Sequence, residues 1–239
     1  MSAASGPTAT GLSDQWSFAV LTGAFAVLVA ASSFVILLTG RRHALAHLNV
    51  LGTITHEAGH AAISVLTGGG VYRFQITSPD AGSVHAWWPS RLSSVAGSLA
   101  GYAAPPLAGL AAAALLHRGH ASAVLTLTVV MMALLLFVSR DAITVGCVLL
   151  AGFLAFATVR WGPLWLQDYV AYTESWLLLT SEISGLAYLT IAHFRGFADG
   201  TDDADDLARE THIPSFVWIL GWFVLIGWSL VKAVPLMWT

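Results

Sequence analysis

The sequence predicts an all-α polytopic membrane protein with seven or eight transmembrane helices and one small β-hairpin. Three observations carry this: too little charge to coat a water-facing surface, a series of apolar runs of membrane-crossing length, and one alternating stretch split by a turn. Of 239 residues, 56% are hydrophobic and 10% charged, whereas a soluble domain carries roughly 25% charged residues. Mean hydropathy is +0.74. Lipid is therefore the expected solvent for most of the chain. A formal net charge of −3 offers no basic face, which argues against nucleic acid as a partner. Cys147, the single cysteine, allows no disulfide framework and no cysteine-based metal site. Within its apolar run it reads as a small packing residue.

Residues 1–15 are mostly small and polar and include Pro and Gly, so a disordered tail is expected there, with 16–239 forming a single transmembrane domain. The tail has no basic start and no convincing cleavage site, so the first apolar run reads as a retained helix. A helix needs about 20 mostly apolar residues to cross the hydrocarbon core. Runs of this kind cover 16–39, 46–67, 92–116, 121–139, 142–159, 163–193 and 215–234. The run 163–193 is long for one untilted span, which leaves an eighth crossing open. Between the second and third runs, after Gly68-Gly69-Gly70, residues 71–88 alternate in polarity on either side of Pro79-Asp80-Ala81-Gly82. That pattern predicts a β-hairpin. Residues 195–214 are polar and acidic, holding Asp199, Asp202, Asp203, Asp205, Asp206 and Glu210. Pro214 suits the first turn of the final helix. Basic residues divide evenly between the two faces, so the positive-inside rule chooses no orientation.

The second run contains Thr55-His56-Glu57-Ala58-Gly59-His60. Residues four apart share a helix face, so both imidazoles can bind one ion, while Glu57, rotated by about 100°, can reach a water without ligating the metal. Zinc is the metal this pattern implies, with Glu57 as the catalytic base. Polar groups bonding to one another between helices would be the bland alternative. Ionisable residues inside a span are costly and functional by default, and three fall here within five positions. His43 and His47 repeat the spacing but sit beside Arg41-Arg42, where an interfacial role is expected.

With these residues in view, the chain resembles the site-2 protease family of intramembrane zinc metalloproteases, in its compact bacterial and plant-like branch. The His-Glu-x-x-His motif, the glycine-rich exit at Gly68–Gly70 and the hairpin after it carry the resemblance. So do the small-residue span with Gly101-Tyr102-Ala103-Ala104-Pro105-Pro106-Leu107-Ala108-Gly109 and the acidic Asp202-Asp203-Ala204-Asp205-Asp206-Leu207-Ala208 segment. It implies a Zn2+-dependent endopeptidase in a bacterial cell membrane. The implied activity is cleavage of transmembrane protein substrates within the lipid bilayer, with the hairpin on the cytosolic side. A catalytically inactive relative that binds transmembrane helices is the alternative, and an ion transporter a weaker third.

A catalytic zinc usually takes three protein ligands. The family's third is an Asp in a Leu-Asp-Gly motif, which is absent here. Asp141 is the expected third ligand. The fourth run returns to the hairpin side just before it, and a junction dipping about 10 Å into the protein would bring it level with His60. An ion pair with Arg140 is the alternative role for Asp141. Asp203 is the second candidate, available if 163–193 crosses only once, with helix capping as its alternative. Asp168 and Glu174 read as polar contacts between helices.

Overall fold

The protein is described by a computed structural model, which covers residues 20–28, 49–78, 81–196 and 200–238. The tail at 1–15, most of the first apolar run, and His43 and His47 lie outside these residues. Helical residues 20–28 form α1. They are followed by α2 (Val50–Leu66), β1 (Gly70–Ser78), β2 (Ala81–Trp87), α3 (Arg91–His117), α4 (Ala121–Leu136) and α5 (Ala142–Trp161). The chain continues through α6 (Leu164–Arg195), α7 (Asp203–Thr211) and α8 (Ser215–Met237). Among the described residues, four helices are long and apolar enough to cross a membrane: α3, α5, α6 and α8. At 17 and 16 residues, α2 and α4 reach only about 25 Å, short of the roughly 30 Å hydrocarbon core. The run 163–193 is one continuous 32-residue helix, not two short ones.

The central helix is α3, which packs against α2, α6 and α8. Ser90 and Ser93 begin it with reciprocal side-chain-to-backbone bonds of 3.2 and 3.0 Å, a capping box that satisfies two of the free donors. Pro105 and Pro106 lie inside it, which membrane helices tolerate where neighbouring groups bond the freed backbone. Its small residues let helices approach closely, as is common inside bilayers. Ser175 of α6 donates to the Gly109 carbonyl at 3.0 Å and Trp222 of α8 to the Leu99 carbonyl at 3.2 Å. The outer helix is α5, with only Thr144, Val148 and Ala155 buried. It exposes Ile143, Leu149, Leu150, Phe153 and Leu154, a surface that suits lipid and would be costly in water.

The hairpin folds back along α2. Its strands pair antiparallel, with Gly70 opposite Trp87 and Gln75 opposite Ser83. The Ser64 hydroxyl contacts the carbonyls of Gly70 and Trp87 at 3.2 and 3.1 Å, while Gly82, near the turn, lies against Glu57. Ser64 and Glu57 are two helical turns apart, so the hairpin runs about 10 Å back beside the helix. Phe74 and Ile76 anchor it, buried with Ile54, Met132, Leu135 and Val148. The Phe74 N–H donates to the Val138 carbonyl at 3.0 Å, so the α4–α5 junction pairs with the outer edge of β1.

Candidate metal centre

The His-Glu-x-x-His segment lies entirely within α2, where the four-residue spacing brings His56 and His60 together, ring centroids 5.0 Å apart. The carboxylate that meets them comes from α7. Asp202 caps this short helix, accepting from the Asp205 N–H at 2.9 Å. Ala204 and Leu207 are buried against α6 and α8 residues including Leu186, Leu189, Ile219 and Trp222. Seating those two side chains turns Asp203 inward. Its Oδ2 lies 3.3 Å from His56 Nε2 and 3.4 Å from His60 Nε2. Burial alone would raise the Asp203 carboxyl, but His60 and His56 more than offset that and hold it well below the usual carboxylate range.

The donor chemistry fits a metal ion. His60 Nδ1 lies 2.8 Å from the Gly97 carbonyl, which can only accept, so Nδ1 carries the hydrogen and, in the neutral ring, Nε2 presents a lone pair. His56 Nδ1 meets Glu182 Oε2 at 3.3 Å, which sets the same tautomer. With both rings neutral, two lone pairs and a carboxylate oxygen converge, a donor set that a bound cation would satisfy. In a tetrahedral zinc site with arms of about 2.0–2.1 Å, neighbouring ligands stand about 3.3 Å apart, matching the separations from Asp203. Gly101 leaves the space free: a Cβ there would fall 2.5 Å from each Nε2.

Glu57 is buried at 7% exposure, next along α2 from His56 but outside the His56–His60–Asp203 group. Gly82 makes room for it, since a Cβ at that position would stand 2.6 Å from Glu57 Cγ. The histidine face opens on a cavity of about 400 Å³ lined by residues that include Asn49, Thr53, Glu57, Tyr102, Ser181 and Glu182.

Asp141, expected from the sequence as the third ligand, is not brought to this group. It caps α5, accepting from the Thr144 N–H at 3.0 Å and the Thr144 hydroxyl at 2.8 Å, and those bonds lower its pKa. The α4–α5 junction is held at the outer edge of β1 instead of dipping toward α2. Asp203, the second candidate, is the carboxylate that converges, and α6 running as one unbroken helix is what allows it. Glu174 bonds the Thr128 hydroxyl of α4, a contact between helices as expected. Sequence reasoning passed over Glu182, although an ionisable residue inside a span was a signal that could have found it.

A mostly helical, lipid-suited fold built around a partly buried two-histidine, one-aspartate group with a neighbouring glutamate defines a class, the membrane metallopeptidases. More particularly, the chain belongs to the peptidase M50B-like family, whose model matches residues 17–233. No curated protein and no solved structure matches it.

Proposed function

We propose that this protein is a zinc-dependent intramembrane endopeptidase that hydrolyses peptide bonds in or near the transmembrane segments of other membrane proteins. The observation that carries the reading is the meeting of Asp203 Oδ2 with both Nε2 atoms, next to buried Glu57. A site with the two histidines alone would have favoured an inactive helix-binding relative. His56, His60 and Asp203 would hold the ion. When bound, zinc supplies Lewis-acid polarisation of the scissile carbonyl and makes water nucleophilic near neutral pH. The Glu57 carboxylate accepts the proton that the attacking water releases and returns it to the departing amide nitrogen. Hairpin residue Gly82 backs Glu57, and the Gly97 carbonyl orients His60. Asn49, Thr53 and Ser181 give water a polar approach through the cavity. In this reading residues 16–239 are one catalytic unit in a cell membrane, and the apolar runs 16–39, 46–67 and 121–139 complete seven crossings with the four longer helices.

The test is to compare the membrane proteomes of cells expressing wild type and Glu57→Gln. An uncut single-span protein accumulating in the variant is expected and identifies the substrate. If both process every membrane protein alike, even under stress, the inactive helix-binding reading replaces this one.

A further inference from the structure

We infer that Glu182 is the positioning residue for His56, holding Nδ1 of the imidazole so that Nε2 faces His60 and Asp203; this rests on the metallopeptidase reading above. Glu182 lies inside α6 and is buried at 7% exposure. A carboxylate at such a place is costly and is expected to have a specific partner. Its partner is His56: Oε2 stands 3.3 Å from Nδ1, the ring nitrogen away from Asp203. Glu182 therefore acts behind the ring and is not one of the converging groups.

Packing brings it there. A Cβ at Gly52 would fall 2.3 Å from Ser181 Cβ, so α6 touches the α2 backbone one helical turn before His56 and delivers the next residue, Glu182, to the imidazole. Tyr102 closes a further side of the ring, edge-on at 4.7 Å between centroids. The two histidines are thereby clamped from different helices, His60 by a carbonyl of α3 and His56 by a carboxylate of α6. The two partners differ in effect. A carbonyl fixes the tautomer, whereas a carboxylate also raises the basicity of the ring as a ligand.

The test uses full-length protein in detergent, with Zn2+ affinity measured against a competing chelator and the absorption bands of Co2+-loaded protein recorded. Glu182→Ala is expected to weaken Zn2+ binding about 10–100-fold and to shift the Co2+ bands. In Glu182→Gln the amide oxygen still accepts from Nδ1, so most of the affinity should return while the bands remain shifted. Glu174→Gln, a buried carboxyl of the same helix bonded only to Thr128 among the described residues, controls for loss of a membrane carboxylate and should leave both readouts unchanged. Wild-type affinity and unshifted bands in Glu182→Ala would overturn the inference, leaving Glu182 as cavity wall. Should that variant fail to fold, unshifted bands in Glu182→Gln would do the same. Failure of wild type itself to bind zinc overturns the metallopeptidase reading, and is seen before any variant is compared.

Discussion

Replacing Gly101 by alanine sets metal binding against folding. An added Cβ would lie 2.5 Å from His56 Nε2, 2.5 Å from His60 Nε2 and 2.7 Å from His60 Cε1. Ordinary contact begins near 3.5 Å, so both ligand nitrogens must withdraw by about 1 Å. Metal–ligand distances tolerate only about 0.2 Å. The two imidazoles would therefore be pushed off the ion together, and zinc affinity should fall by more than the 10–100-fold typical of losing a single supporting partner. Folding should suffer less than metal binding, because the atoms met are the ends of imidazole side chains and not backbone. Alanine also favours a helix interior over glycine by roughly 0.5–1 kcal/mol. Zinc content by elemental analysis, paired with thermal unfolding in detergent, reads both quantities on one sample. Expected is a folded protein without zinc. A Gly101→Ala protein carrying a full equivalent of zinc would show that the ion does not sit between these nitrogens.

Gly59→Ala should behave oppositely. Its Cβ would meet the Ala100 carbonyl oxygen and Ala104 Cβ, each at 2.7 Å, so α2 and α3 must separate at a cost of about 1–3 kcal/mol, measurable as a lower Tm. Glu57→Gln should keep its zinc and its Tm while cleavage falls about 10²–10⁴-fold; zinc lost along with activity would reassign Glu57 as a ligand. Asp203→Asn should lose zinc, whereas Asp141→Asn should retain it, since asparagine caps a helix about as well as aspartate; the reverse pattern in elemental analysis would restore Asp141. The Thr144 bonds lower the Asp141 carboxyl from its ordinary value near 3.8. That cap therefore stabilises α5 fully above this value and loses its contribution as pH falls through the lower folded value. Asp141→Asn should remove this part of the acid sensitivity in a pH-dependent unfolding series. Chelation with 1,10-phenanthroline should abolish cleavage and added Zn2+ restore it; activity that survives complete metal removal would end the zinc reading.

What sequence alone determined about this protein lies in composition and in spacings a few residues long. Ten per cent charge leaves no way to clothe the chain in water, so lipid was legible before any element was placed. His56, Glu57 and His60 sit within one and a half turns of a single helix, and helical geometry settles which of them share a face. The hairpin was legible for a similar reason, since only two residues separate its two strands. Only the tertiary structure decided which carboxylate meets the histidines. Asp141 and Asp203 are both aspartates near the N-terminus of a helix, and nothing local separates them. The choice depends on α6 running unbroken from Leu164 to Arg195 and on Ala204 and Leu207 seating α7 against α6 and α8. It depends equally on β1 holding the α4–α5 junction at its outer edge. The approach of Glu182 to His56 has the same origin, in the contact of Gly52 with Ser181. The contacts that bring Asp203 and Glu182 to His56 join segments more than a hundred residues apart, and no periodicity in the chain encodes any of these contacts, because periodicity reports which way a side chain faces on its own helix and not which helix lies opposite.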